Sequence, residues 1–288
     1  MKLVSYIQHG ADGNKTSYGA LEGDRLVDLS TREAPSLRRA LATEGVEGLR
    51  QRLKASPNDA GVPVSSVQLL PPIPDPEKIL CIGLNYFQHA QEVNMQVPLN
   101  PSVFVRYPNS FVGQGQPVLR PPESEQFDYE AEMAVVIGRG GRRIPEAQAM
   151  AHVAGYSCMA ENSVRDWQRH STQATPGKNF FHSGAIGPWL VTPDEIGDVS
   201  QLEIIGRLNQ EVVQRDTLDQ LIFSIPHLIA YLSTFTELVP GDVIATGTPA
   251  GVGLSRKPQR WLRPGDIFEV EITGLGTLRN PVNDDHIS

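Results

Sequence analysis

The segment Phe127-Asp128-Tyr129-Glu130-Ala131-Glu132 runs directly into the apolar stretch Met133–Ile137, which places two glutamates at the start of a β-strand. Alternate strand side chains share a face, so Glu130 and Glu132 stand beside each other on the face of Ala134 and Val136. Adjacent carboxylates repel and lose hydration unless a cation or protons compensate them. The pair is therefore either a hard-metal site or the solvated face of an edge strand. A second constellation is Asn85-Tyr86-Phe87-Gln88-His89-Ala90-Gln91-Glu92, after the apolar run 78–82 and Gly83. Asn85 is expected to cap a short helix carrying His89 and Glu92, an i,i+3 pair. A carboxylate beside imidazole raises its basicity and sets its tautomer, as a water-activating base requires; a surface His–Glu pair is the alternative.

Three further motifs carry polar groups. A short apolar strand delivers Glu161, and Ser163 is placed to cap the segment holding Arg165 and Gln168. Glu161 is either a third carboxylate ligand or the partner of Arg165, four residues on. Lys178 follows the turn Pro176-Gly177, where an ammonium can hold a substrate carboxylate, stabilise an enolate, or sit in solvent. The loop Thr246-Gly247-Thr248-Pro249-Ala250-Gly251-Val252-Gly253 follows the strand 242–245. It lacks the Gly-Lys-Ser/Thr ending of a phosphate loop, yet its amides and the Thr248 hydroxyl can bind a carboxylate.

Strands are expected at 3–8, 17–22 and 26–29, with a loop through residues 10–14, and helices at 36–42 and 46–54. Pro71-Pro72-Ile73-Pro74-Asp75-Pro76 reads as a semi-rigid linker and divides the chain near residue 70 into a small N-terminal domain and a larger one, 71–288. Pro-Gly-Asp feeds an apolar strand twice, at 240–244 and 264–268. Apolar residues at three- and four-residue spacing over 217–238 predict one amphipathic helix kinked at Pro226. The class is α+β, with the sheet dominant in the larger domain.

Composition excludes several functions. The net charge is −8 with no basic run, which argues against nucleic-acid binding. The longest apolar region, 218–238, contains Pro226, His227 and Glu237 and is no membrane span. Two cysteines, Cys81 and Cys158, make no disulfide framework, so a reducing, cytoplasmic setting is expected. The Gly-x-Ser-x-Gly elbow, His-Glu-x-x-His and paired Cys-x-x-Cys are missing, and an all-carboxylate cluster points to Mg²⁺ or Mn²⁺.

In order, Asn-Tyr-x-x-His-x-x-Glu at 85–92, Asp-Tyr-Glu-x-Glu at 128–132, Arg-Asp-x-Gln at 165–168, Gly-Lys-x-Phe at 177–180, Gly-Pro-Trp at 187–189 and the Gly-rich motif at 241–253 resemble the fumarylacetoacetate hydrolase family, in particular its bacterial, acylpyruvase-like members. The resemblance spans residues 70–283. It implies a rolled, mixed β-sandwich catalytic domain and a homodimer. It implies Glu130, Glu132 and Glu161 as metal ligands, with Glu161 standing where an aspartate is usual. It further implies His89 and Glu92 as the water-activating pair, Lys178 and Gln168 near substrate and water, and Tyr86, Arg106 and Thr248 as substrate-binding. Arg106 stands where a lysine is common, and Phe181-His182-Ser183-Gly184 departs from the family pattern in a way expected to reshape the pocket.

The activity implied is metal-dependent hydrolysis of a C–C bond in a β-dicarbonyl acid of the acylpyruvate type. Decarboxylation of a β-keto acid such as oxaloacetate, or isomerisation of a hydroxymuconate-like acid, uses the same enolate. A binding protein that has lost activity is the non-enzymatic alternative.

Overall fold

The strand Ala131–Ile137 is buried at all seven positions, and its two faces enter different cores. Met133, Val135 and Ile137 pack with Phe268, Val270 and Leu278 of a second sheet. Ala134 and Val136 pack with Leu37, Leu41 and Leu49 near the N-terminus. A strand covered on both sides reads as a nearly continuous apolar run, which is why its own pattern shows no alternation beyond Glu132. The computed structural model describes residues 1–10, 13–57 and 61–286. The expected loop at 10–14 lies partly outside them, at Ala11 and Asp12.

Ala131–Ile137 sits near the middle of a twelve-stranded mixed sheet, between Val153–Ala160 and Val243–Ala245, both antiparallel to it. Val243–Ala245 pairs in parallel with Ile79–Gly83. These two parallel strands therefore end at the edge where Ala131–Ile137 begins and where Val153–Ala160 ends. That arrangement brings the Gly-rich loop, the His89 segment, Glu130, Glu132 and Glu161 to one place. A five-stranded sheet, ordered Glu211–Thr217, Glu203–Leu208, Ile267–Ile272, Gly276–Asp284 and Val118–Arg120, covers one face. The fold is the mixed α+β sandwich expected.

The N-terminal strands Lys2–Gly10, Gly13–Glu22 and Arg25–Asp28 continue the large sheet, with Leu3 opposite Leu190 of Gly184–Val191. Helices Leu37–Thr43 and Gly45–Ala55 match the sequence reading, and the Ser36 hydroxyl accepts from Arg39 N at the first. The proline run lies against the protein over most of its length. Pro71, Pro72, Ile73 and Pro76 are buried, and Ser5 donates to Pro72 O at 2.7 Å.

Both Pro-Gly-Asp motifs turn the chain through a glycine in the left-handed region, Gly241 (φ 89°) and Gly265 (φ 91°), before Val243–Ala245 and Ile267–Ile272. The single kinked helix over 217–238 is corrected. A 3-10 turn at Leu218–Gln220 is followed by an isolated bridge at Leu221, bends at 222–223 and then the helix Ile225–Phe235. Pro226 lies in its first turn, where its missing N–H costs nothing, and Ser224 caps it by accepting from His227 N. Leu221 and Ile222 kept the apolar spacing for another reason: they pair with Tyr86 and Asn85. Among the described residues no helix is long and apolar enough to cross a membrane.

Candidate active site

Glu130, Glu132 and Glu161 converge where their strands meet, each with a carboxylate oxygen within 4.8 Å of the others. All three are buried, so their charges need compensation. Lys178 Nζ lies 3.1 Å from Glu130 Oε2 and contacts Glu161 Oε2, and Arg165 Nη2 lies 2.8 Å from Glu130 Oε1. Arg106 Nη1 donates to Glu161 Oε1 at 3.0 Å. Ser163 Oγ donates to Glu130 Oε1 at 2.5 Å instead of capping the following segment. Arg165 turns away from Glu161 to pair with Asp128 and Glu130.

Glu132 differs from its neighbours. Gly247 N donates to it at 2.8 Å, and among the described residues no cationic side chain pairs with it. Burial alone would raise Glu130, but the charges of Arg165 and Lys178 outweigh it and hold the carboxyl at about 2. Burial, joined by the charges of Glu161 and Glu130, pushes Glu132 well above the usual carboxylate range. Burial also leaves Glu161 raised, with Lys178 and Arg106 only partly offsetting it. A cluster of hard oxygen donors with one uncompensated buried carboxylate fits a divalent cation.

The helix Phe87–Glu92 carries His89, which lines the same cavity as the triad. His89 Nδ1 is 3.2 Å from Glu92 Oε2, and Glu92 accepts from Gly251 N at 2.9 Å. Burial would raise Glu92, but hydrogen bonds from His89, Ser255 and Gly251 hold it below its ordinary value. An ionised carboxylate only accepts, so Nδ1 carries a proton toward Glu92 and Nε2 is the ring nitrogen turned from it. Asn85 does not cap this helix. Its side chain donates to Thr246 O (2.8 Å) and Phe223 O (3.0 Å) and accepts from Phe223 N (2.8 Å). It ties the His89 segment to the Gly-rich loop.

Three glycine amides of that loop, and the Leu254 amide after it, are spent on the protein's own carboxylates. Gly247 N bonds Glu132, Gly251 N bonds Glu92, and Gly253 N (2.7 Å) and Leu254 N (3.0 Å) bond Asp128. Asp128 also accepts from Arg165 Nε at 2.8 Å. Thr248 Oγ1 donates to Ala131 O (2.9 Å) and accepts from Gln214 Nε2 (2.8 Å). Sequence reasoning missed the roles of Asp128 and Gln214. Alternation would have put Asp128 on the face of Glu130, but pairing breaks between Phe127–Asp128 and Ala131–Ile137.

The triad, His89, Arg165, Gln168, Lys178 and Thr248 line one cavity of about 290 Å³, whose remaining wall is mainly apolar: Leu84, Val93, Met95, Phe104, Val252 and Leu254. Two expected substrate contacts do not line it. Tyr86 is wholly buried, and its hydroxyl meets no hydrogen-bond partner within the protein. The Arg106 guanidinium lies behind Glu161, held by Ser110, Asn162 O and Ser183. Phe181 is half exposed and stacks on His182 at 3.7 Å, and Ser183 serves Arg106, so this divergent segment acts from behind Glu161.

Residues 78–283 match the family model described as fumarylacetoacetate (FAA) hydrolase, C-terminal. The chain is 39% identical over 287 residues to a mitochondrial oxaloacetate tautomerase of Xenopus laevis, covering 98% of this chain and 90% of that one. A putative HpcE protein from Mycobacterium smegmatis superposes with a TM-score of 0.87 at 34% identity, covering 98% of this chain and 100% of that chain. A maleylpyruvate hydrolase from Sphingobium sp. SYK-6, solved with manganese(II) and pyruvate, superposes with a TM-score of 0.82 at 26% identity, covering 99% and 100%. With the family's order of motifs, its fold and its buried carboxylate triad all present, the chain belongs to the fumarylacetoacetate hydrolase family.

Proposed function

We propose that this protein interconverts the keto and enol forms of a small 2-oxo dicarboxylic acid such as oxaloacetate, using Mg²⁺ or Mn²⁺. The observation that carries this reading is that His89, oriented by Glu92, shares one cavity with the carboxylate triad and Lys178. The relative named an oxaloacetate tautomerase, similar over nearly the whole chain, supports the substrate. Held by Glu130, Glu132 and Glu161, the cation would supply Lewis acidity toward the substrate's 2-oxo group. His89 Nε2 takes the proton from the carbon between the two carbonyl groups and returns it to oxygen or carbon. Glu92 stabilises the imidazolium formed in between, and its bond from Gly251 N keeps it in place. The Lys178 ammonium offers positive charge where the enolate oxygen develops. The apolar wall limits water around the enolate.

Hydrolysis of an acylpyruvate is the second reading, and Gln168 favours it. Its Oε1 accepts from Arg165 Nη1 at 3.1 Å, while its amide nitrogen has no protein partner among the described residues and can hold a water beside His89. In that case His89 deprotonates water instead of carbon. Arg106 seats the longer Glu161 beside Glu130 and Glu132, which supports the enzymatic readings over the non-enzymatic one.

The test follows ultraviolet enol absorbance of oxaloacetate, and of a panel of acylpyruvates, with Mg²⁺ or Mn²⁺ and with chelator. Metal-dependent loss of oxaloacetate enol without pyruvate or carbon dioxide supports the tautomerase. Pyruvate released with the matching acid moves hydrolysis to first place, and carbon dioxide release moves decarboxylation there. Inactivity on all substrates despite bound metal rejects all three. The buried, unpaired Cys81 and Cys158 support a reducing compartment, for which we retain the cytoplasm. Exposed apolar side chains at Phe87, Met95, Val97 and Leu99 support a homodimer, which sedimentation checks.

A further inference from the structure

We propose that Arg106 is a positioning residue that fixes Glu161 so that one carboxylate oxygen, Oε2, faces the cation site. This goes beyond the choice of substrate and rests only on the triad being a cation site. The Arg106 side chain has no exposed surface, and its guanidinium is held from several directions. Nε donates to Ser110 Oγ at 3.1 Å, Nη2 to Ser183 Oγ at 2.8 Å, and Nη1 to Asn162 O at 3.2 Å. The plane also lies over the Phe111 ring, 4.2 Å from its centre. A fork so constrained is unavailable to substrate and cannot swing. Nη2 also donates to Ser110 O at 3.4 Å, and the fork's only bond to a carboxylate among the described residues, Nη1 to Glu161 Oε1 at 3.0 Å, therefore sets where that oxygen sits.

The consequence falls on the other oxygen. Glu161 has three side-chain torsions, and an unanchored carboxylate on that arm could offer either oxygen, or both. With Oε1 tied to Arg106, Oε2 turns toward Lys178, which lines the cavity. Lysine in place of Arg106 would keep the charge but lose the planar fork, since an ammonium is a point charge on a flexible stem.

Mn²⁺ alone, titrated into the full chain after chelator treatment and followed by electron paramagnetic resonance, tests the proposal without reference to turnover. Wild-type binding establishes the site, so its failure is separable from failure of the inference. Arg106→Lys is expected to weaken Mn²⁺ binding about 10- to 100-fold, the usual cost of removing a partner that orients a ligand, and to alter the spectrum of the bound ion. The chelated protein's melting temperature serves as the control for folding. Glu161→Asp withdraws the carboxylate from the fork, so adding Arg106→Lys to it should cost little more. Wild-type affinity and spectrum in Arg106→Lys, or an equal penalty on the Glu161→Asp background, overturns the proposal. Tighter binding in Arg106→Met also overturns it, because Arg106 would then act by charge repulsion. If Arg106→Lys does not fold, Ser183→Ala leaves both charges and removes one anchor; a smaller loss in the same direction supports the proposal, and no change overturns it.

Discussion

At the scale of single residues the site is governed by which carboxylate lacks a counter-charge. Glu130 has Arg165 and Lys178, and Glu161 has Arg106 and Lys178, whereas Glu132 has a backbone amide. Burial, with Glu161 and Glu130, lifts Glu132 well above its ordinary 4.5, so the folded chain holds a proton that the unfolded chain releases. Over that interval the native state binds more protons, and metal-free stability is expected to fall as pH rises. Glu161, raised by burial, contributes in the same sense. Glu130, held at about 2, acts oppositely: its contribution is lost as pH falls from 4.5. Glu132→Gln should therefore raise the melting temperature in chelator at pH 7. The gain grows with the upward displacement of this carboxyl, since each tenfold difference in proton affinity between folded and unfolded chain is worth about 1.4 kcal/mol. The same variant should bind Mn²⁺ more weakly. A variant as pH-sensitive as the wild type would contradict this account. His89→Ala should lower kcat about 10²- to 10⁴-fold with Mn²⁺ affinity unchanged; comparable activity would remove His89 from the proton transfer.

At the scale of elements the Gly-rich loop and the strand edge form one unit, and Asp128 joins them. Its carboxylate accepts from Gly253 N, Leu254 N, Tyr129 N and Arg165 Nε. Asp128→Asn keeps the shape but faces an amide N–H toward at least one of those donors. We expect a loss of about 1.5–3 kcal/mol, the worth of hydrogen bonds to a charged group, and faster amide exchange over residues 247–254. Exchange unchanged there would show that the loop holds without Asp128. Local signals made part of this arrangement legible. The Glu-x-Glu pair, the Pro-Gly-Asp turns and the two short helices near the N-terminus each depend on a few neighbouring residues, and the structure has them where the pattern put them. What could not be read depends on partners far along the chain. Arg106 meets Glu161 across 55 residues, and Asn85 meets Phe223 across 138. The segment before Ile225–Phe235 kept helical spacing although its backbone bridges to Tyr86 and Asn85, because Leu221 shares the core with Tyr86.

At the scale of the whole molecule, the sheet face that ends in Glu132 is covered by the first seventy residues. Leu3, Tyr18, Leu37, Leu41 and Leu49 share a core with Ala134, Val136, Met159, Ile186 and Leu190, and Lys2–Gly10 supplies the hydrogen-bonding partner of Gly184–Val191 at Leu190 and Val191. A proline run reads as a spacer in sequence because prolines stiffen chain wherever they occur, and only the packing around Ile73 shows that this one is enclosed. Removing residues 1–70 would uncover several large apolar side chains and leave part of a strand edge unpaired. Each fully buried aliphatic side chain is worth about 1.5–3 kcal/mol, so uncovering Met159, Ile186 and Leu190 costs a large share of the roughly 5–15 kcal/mol that typically separates folded from unfolded states. Residues 71–288 produced alone are therefore expected to aggregate or to lose cooperative melting and Mn²⁺ binding together. Supplying residues 1–70 as a separate chain should restore both in proportion to complex formed. If instead the isolated 71–288 fragment melts cooperatively and binds Mn²⁺ as the full chain does, the carboxylate site is supported by the catalytic sandwich alone. The N-terminal strands and helices would then be an attachment to the sheet, not part of what holds Glu132 in place.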